Sequence, residues 1–493
     1  MNLVRTLREN RKIIKIFLIA SHTSLAGLLY GLDTGCIGPI TEMHQFSSTA
    51  GSLSPTIQGV YVSCILLSAS MSSLSSGWVA DIISRKYGVL CGAILSAIGT
   101  IVSASAPNLA SLFIARIITG LGMGQGISVV TVYLCEIAPA NMRGTLACMI
   151  QLFITIGIAV GYFITFGSAT ITSGLSWRLP FIVQAVFTVI LATSAIWIPF
   201  SPRWLVERGR KDDAIKVLRG LRDERDDIEK EVSGIDVAKM NQEKCEDQAT
   251  IMELFERRYI VRNLLGIFLM SFQQLTGIDT ILYYAPIVFQ QAGFSTQRAS
   301  FLASGITGII NFVVTIPAQI WIDKIGRRPP LLVGGATMSA CFLIIGSLYA
   351  TYGGRSLEGE IFLSGKGPQL AVIVLIYIFV AAFACSWAVV GKIYACEIIP
   401  TRIRAKACAV QLLCNWLVNF TVALTAPIFL KASASGPYFL YGSCTLFTVL
   451  VCFFAMPETK GKSLEEIDAM FSGRCEVEIS EPLDLDEKVD DGV

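Results

Sequence analysis

The sequence predicts an all-α membrane protein whose twelve transmembrane helices form two pseudo-symmetric six-helix domains with cytosolic helices between them. Three observations predict it. Of 493 residues, 53% are hydrophobic and only 15% charged, a balance rarely found in soluble globular chains. Apolar runs of the roughly 20 residues needed to cross a bilayer core of about 30 Å recur along nearly the whole chain. Short charged motifs of the first half return in the second, as an internal duplication requires.

Residues 1–13 read as a cytosolic N-terminus. Residues 14–199 read as the first domain, with spans at 14–38, 57–80, 87–105, 109–134, 146–165 and 179–199. The first run is long and continues into an ordinary span, so it does not read as a cleaved signal peptide. Residues 200–260 form a charged cytosolic linker whose mixed signs and apolar spacing predict short amphipathic helices. It is either a solvated tether or a helical plate that latches the two halves. Residues 261–456 hold six further spans at 262–289, 299–322, 330–350, 370–395, 407–429 and 438–454, and residues 457–493 form a cytosolic tail.

Basic residues orient the chain. Arg5, Arg8, Arg11, Lys12, Arg85, Lys86, Arg143, the linker, Lys324, Arg327, Arg328, Arg402, Arg404 and Lys406 all fall on one face. The opposite loops carry chiefly Arg178, Arg298, Arg355, Lys366 and Lys431. An excess of Lys and Arg marks the cytosolic side, so both termini lie inside, in the plasma membrane. Twelve of the fourteen cysteines lie in or beside apolar runs and lack paired metal-ligand spacing, while Cys245 and Cys475 lie in polar segments. His22 and His44 have no third ligand nearby. These patterns predict no metal, no cofactor, no enzymatic nucleophile constellation and no nucleic-acid partner; lipid is the main partner, and a monomer is expected.

The repeats are specific. GWVADIISRKYG pairs with WIDKIGRRPP, placing Asp81 before Arg85 and Asp323 before Arg327. CEIAPANMRG pairs with CEIIPTRIRA, giving Glu136 with Arg143 and Glu397 with Arg404, each seven residues apart (143 − 136 and 404 − 397). SPRWL after the sixth span matches PETKG after the twelfth. One such loop is an ordinary topology signal. Four matched loops predict a cytosolic gate whose inter-half ion pairs close the inside and break when it opens. Each exposed pair contributes about 0–1 kcal/mol, which makes a latch rather than a lock.

These motifs, with QQLTGIDTILYYAP in the seventh span and PETKGKSLEEID at the end, resemble the sugar porter family of the major facilitator superfamily over residues 15–470. GLDTGCIGPIT and EEID are similar to the fungal monosaccharide transporters. The resemblance implies the major facilitator fold around a central cavity, alternating access, and transport of a monosaccharide (hexose or pentose) together with a proton.

Ionisable residues at membrane depth mark pathways. By resemblance, Asp33 and Arg116 are the proton-binding acid and its basic partner. A sugar's hydroxyls call for amides and aromatic faces. By resemblance, Gln151, Gln273, Gln274, Asn311 and Asn415 occupy sugar-binding positions, with Tyr283, Tyr284 and Trp416 nearby.

Two departures fall inside that site. Asp279 stands where the family has Asn. Lys392 stands where it has a sugar-contacting Trp, and Ala388 and Val389 replace a Gly-Pro pair. An unpaired Lys at mid-membrane costs at least about 2.5–3.5 kcal/mol, so Asp279 and Lys392 are expected to face each other and pair. A cation in the cavity also keeps open an anionic sugar acid such as a uronate or quinate. A facilitative uniporter and a nutrient sensor with weak transport are further alternatives. Phe200 replaces the Glu of a PESPR-like motif, a change expected to loosen the inner latch.

Overall fold

Apolar runs that cannot bury all their surface against one another must leave it to lipid, and must satisfy every backbone group within the helix. Among the described residues twelve helices are long and apolar enough to cross a membrane: Lys12–Thr41, Pro55–Ile83, Arg85–Ser105, Leu109–Ile137, Gly144–Ser168 and Leu175–Ala195, then Ile260–Tyr283, Gln297–Ile322, Arg328–Tyr352, Lys366–Glu397, Lys406–Ala432 and Gly436–Ala455. They are called spans 1–12 below. The structure is a computed structural model. It describes residues 2–139, 142–222, 228–244, 251–256, 259–294, 296–357, 360–400, 403–462, 466–467 and 470–471; the side chains of 2–11, 143, 147, 238–244, 251, 323 and 405 lie outside the description. Outward faces are apolar, with Met71, Trp78, Ile320, Val333 and Phe454 exposed.

Small residues set the packing inside each half. A Cβ placed on Gly31 would lie 2.0 Å from the Ile154 carbonyl oxygen, so spans 1 and 5 touch backbone to backbone. A Cβ on Gly122 of span 4 would lie 2.4 Å from the Ser96 nitrogen of span 3. In the second half, Ser339 Oγ of span 9 donates to the Gly442 carbonyl of span 12 at 2.8 Å.

Between the halves, span 2 crosses span 11 and span 5 crosses span 8. Shifting each number by six turns one pair into the other, so the duplication in sequence is a duplication in space. Spans 7 and 10 are interrupted. Gly277, at φ 82°, separates the helix Ile260–Gln274 from Ile278–Tyr283, and a Cβ there would meet the Tyr441 and Phe342 rings. Span 10 breaks at Ser386, leaving the half-helix Trp387–Glu397. A short antiparallel hairpin, β1 (Gly353–Arg355) with β2 (Ile361–Leu363), joins spans 9 and 10 where only a loop is expected.

The linker is a helical plate. Pro202–Glu207, Lys211–Leu221 and Ile228–Lys244 close a small core of Trp204, Leu205, Val206, Ala214, Leu218 and Val232. The plate docks on the first half. Buried Arg222 donates to the Ile137 carbonyl at 2.8 Å and pairs with Glu231 at 2.8 Å, capping the end of span 4. Trp204 Nε1 and Arg208 donate to the Asp81 carbonyl at the end of span 2. The turn Ile251–Phe255 packs instead on spans 7 and 11 of the second half.

Candidate functional site

One cavity lies between the halves, with about 550 Å³ of atom-free space including its open mouth. Spans 1, 5, 7, 8, 10 and 11 all line it. Polar contacts seal the side remote from the basic loops. Tyr30 and Tyr283 share a hydrogen bond of 3.1 Å between hydroxyls, and Gln297 Nε2 donates to the Glu42 carbonyl at 2.6 Å. A Cβ on Gly38 would lie 2.0 Å from the Tyr283 carbonyl oxygen, and one on Gly59 would lie 2.2 Å from that of Leu424. Toward the basic face, Lys392 is exposed. The cavity therefore opens on the basic side.

Six predicted residues meet on its wall: Gln151, Gln273, Gln274, Asp279, Asn311 and Lys392. They come together because span 7 unwinds after Gln274, bringing Asp279 of the next short helix alongside the glutamine pair. Asn415 stands behind them. Its Nδ2 donates to Gln273 Oε1 at 3.2 Å and to the Met270 carbonyl at 2.7 Å, and its Oδ1 accepts from Gln274 Nε2 at 3.0 Å. Gln273 Nε2 donates to the Trp387 carbonyl at 2.5 Å. The glutamines are thus oriented before anything binds.

Three expected residues sit off the wall. Tyr283 closes the far side through Tyr30, Tyr284 donates to the Ala423 carbonyl at 2.7 Å, and Trp416 packs edge-on against Tyr30 with centroids 5.5 Å apart. Residues missed by sequence reading complete the lining, chiefly Tyr30, Thr34, Ile154, Phe383 and Asn419. Spacing offered a signal for one of them. Gln411, Asn415 and Asn419 recur every four residues, one polar stripe along span 11.

Asp279 and Lys392 share the cavity wall and attract each other across it, but among the described residues no close ion pair joins them. Lys392 Nζ donates to Gln151 Oε1 at 3.3 Å, while Asp279 Oδ2 is buried with no hydrogen-bonding partner among the described residues. The expectation rested on a dry cavity. Where the cavity opens beside Lys392, the ammonium can keep water as its partner, and the demand for an ion pair falls. Asn311 Oδ1 and Asn419 Oδ1 share the condition of Asp279 Oδ2, so three buried oxygens await donors on this wall.

Behind the cavity, within the first half, Arg116 NH1 meets Asp33 Oδ1 at 2.5 Å, both side chains buried. Arg116 also donates to the Tyr61 and Val62 carbonyls at 3.3 and 3.1 Å, so span 2 backbone holds the guanidinium against span 1. Thr34, next to Asp33 in span 1, lines the cavity wall.

On the basic face the charged loops form one cluster per half. Arg85 pairs with Asp81 at 2.8 Å, with Glu136 at 3.1 Å and with Glu207 at 3.7 Å, all in the first half and its plate. Arg327 pairs with Glu397 at 2.9 Å in the second half, and Arg404 donates to the Ile399 carbonyl at 3.0 Å. The inter-half pairs of the expected gate belong to a state closed on this side; with the cavity open here, the ion pairs among the described residues fasten helix ends within a half. The reason is geometric: the acid ending one span and the base beginning the next are neighbours in the same bundle. The Arg143 and Asp323 side chains lie outside the described residues.

The two clusters differ in one respect. In the second half the Glu458 carboxylate accepts from the backbone N–H of Arg327 and Arg328 at 2.9 Å each, capping span 9. Partial burial pushes Glu458 up, but four backbone N–H groups outweigh it and hold the carboxyl below the usual glutamate range. In the first half Phe200 stands near the corresponding place. Lys86 Nζ lies 4.9 Å from its ring centroid, Trp204 stacks on it at 5.7 Å, and Ser201 Oγ donates to Glu136. An aromatic and cationic contact therefore stands in for the missing carboxylate.

Comparison with known proteins agrees with this fold. Residues 19–471 match the family described as sugar (and other) transporter. The High-affinity glucose transporter 1 of Candida albicans is 33% identical, covering 94% of this chain and 87% of that protein. The arabinose-proton symporter of Bacillus subtilis is also 33% identical, covering 92% and 95%. The inward-open xylose transporter XylE from E. coli superimposes with a TM-score of 0.76 at 26% identity, over 92% of this chain and 99% of that one.

Proposed function

This chain belongs to the sugar (and other) transporter family, a multi-pass membrane family, and from that premise we propose that it carries a monosaccharide together with a proton by alternating access. The observation that carries the reading is the cavity wall: glutamines pre-aimed by Asn415, and buried oxygens of Asp279, Asn311 and Asn419 without donors. A sugar offers several O–H groups, each able to donate to such an oxygen and to accept from an amide. Orientation follows from charge: the basic face, toward which the cavity opens, is the cytosolic one, and the membrane is the plasma membrane.

Asp33 supplies the coupling. Ionised, it is held by Arg116 inside a low-dielectric bundle; protonated, it no longer attracts the guanidinium, and the grip of span 4 and span 2 on span 1 loosens. Thr34, its neighbour on span 1, lines the cavity, which gives the pair a direct route to the substrate. One proton entering down about 150 mV brings roughly 3.5 kcal/mol, which supports a few-hundred-fold accumulation. In cells expressing the protein, sugar-dependent alkalinisation of the medium is expected, and Asp33→Asn should abolish it while labelled-sugar exchange survives. Alkalinisation that persists in the variant removes Asp33 from the coupling role.

A second reading is favoured by one observation, the ammonium of Lys392 standing in the cavity with Gln151 as its hydrogen-bond partner and, among the described residues, no acid within ion-pair distance. That group can receive a carboxylate, so a sugar acid fits where a neutral sugar would leave the charge to water. Competition separates the two: if the sugar acid is the cargo, unlabelled galacturonate blocks uptake better than glucose or xylose, and Lys392→Met reverses the order by about tenfold or more. Equal competition before and after the substitution leaves the neutral sugar.

A further inference from the structure

Two thiols meet outside the cavity, at the basic end of the second half. Cys396 occupies the last turn of the half-helix Trp387–Glu397, and its Sγ lies 3.1 Å from that of Cys408 near the start of span 11. Both are free cysteines and both are half-buried, so small reagents can reach them. Sulfurs at this separation need to close by only about 1 Å to reach the roughly 2.05 Å of a disulfide. No part of the cavity chemistry uses them.

Their position gives them leverage. Cys396 is four residues from Lys392 on the same helix and directly precedes Glu397, which holds Arg327 and Thr459. Cys408 lies on the helix that carries Asn415. The half-helix is set off from the rest of span 10 by the break at Ser386, so it can tilt as a unit relative to span 11.

We propose that Cys396 and Cys408 are a redox modification site, a dithiol that a hydroperoxide converts to a disulfide, tying span 10 to span 11 and slowing transport. One thiol attacks the peroxide; the O–O bond breaks, leaving a sulfenic acid on that cysteine and releasing alcohol, or water when the oxidant is hydrogen peroxide. The second thiol then attacks the sulfenic sulfur, the S–S bond forms and water leaves. Two thiols thus give up two protons and two electrons, which reduce the peroxide. A dithiol reductant reverses the step. The first half carries Cys135 and Cys148 around its matching Glu136 and Arg143 motif, so the test must resolve the pairs separately.

The full chain in liposomes is treated with hydrogen peroxide, free thiols are blocked with N-ethylmaleimide, and peptides are read by mass spectrometry. The expected product is a peptide joining Cys396 to Cys408, about 2 Da lighter than its two components and split by dithiothreitol. Exchange of labelled sugar should fall about threefold or more and recover with the reductant, as expected when a moving element sets the rate. Cys396→Ser and Cys408→Ala should keep the untreated rate and escape the inhibition. An arylarsenoxide, which bridges paired thiols, should inhibit the unsubstituted protein and be released by a dithiol but not by a monothiol. If both cysteines still take maleimide after peroxide, or oxidise separately without joining, the site does not exist. A joined peptide with unchanged exchange, or inhibition equal in the variants, overturns the control of transport. Bond formation is read without any solute, so failure of the sugar reading leaves that arm standing.

Discussion

At the scale of single residues, the side chain that organises the cavity touches none of the space inside it. Asn415 holds one glutamine through its nitrogen and the other through its oxygen, and a third bond anchors it to the Met270 carbonyl. Asn415→Ala frees Gln274, leaves Gln273 held only through the Trp387 carbonyl and strips buried amide groups of partners, at a cost of about 1–3 kcal/mol. The expected outcome is a KM raised about tenfold with a smaller change in maximal rate, read from initial uptake; an unchanged KM would detach Asn415 from the site. The amides were legible in sequence because a polar side chain in a bilayer-spanning helix has few other uses. Tyr30 and Asn419 were not singled out, although Asn419 continues the four-residue stripe through Gln411 and Asn415. The separation of Lys392 from Asp279 was beyond sequence: whether a charge needs a partner depends on whether water reaches it, and that is decided by how two distant bundles meet.

At the scale of helices, position in the chain was readable and interruption was not. Each span follows from apolar length, but the break at Ser386 falls in a run without proline or glycine at the break, and the hairpin of β1 and β2 lies in a segment with no strand alternation. Tertiary packing creates both. The cap of span 9 by Glu458 is likewise non-local, a carboxylate from the chain's end serving a helix begun 130 residues earlier (458 − 328). Glu458→Gln is expected to lower thermal stability by about 1 kcal/mol near neutral pH. Its carboxyl lies below the ordinary glutamate range in the folded protein, so its contribution is present above the unfolded value near 4.3 and is lost as pH falls through the folded value. Melting curves of the two proteins should therefore converge once the pH falls below the ordinary glutamate range; a difference that stays constant through that range would argue against the cap.

At the scale of the molecule, the two bundles were legible because the same motifs recur in the same order, and a duplicated sequence implies a duplicated fold. The state of the assembly was not legible. Its closed side depends on Gly38 and Gly59, where the halves approach to backbone contact with Tyr283 and Leu424. Gly59→Ala would place a methyl 2.2 Å from a carbonyl oxygen of the opposite half, so that side cannot shut without moving span 11. Net uptake should fall about tenfold or more while binding measured from the opposite side of the membrane survives; normal uptake would show that the contact is not part of the cycle.

The cluster at Phe200 has a consequence for how the protein senses its surroundings. Its counterpart around Glu458 loses its charge in acid, whereas a phenyl ring beneath Lys86 has no proton to gain. Acidifying the compartment that bathes both would strip the cap from span 9, while the contact of Lys86 with the ring has no carboxyl to lose. A scaffold made by copying one unit twice has in this way acquired unequal partners, one helix end held by a carboxylate and its counterpart by a ring.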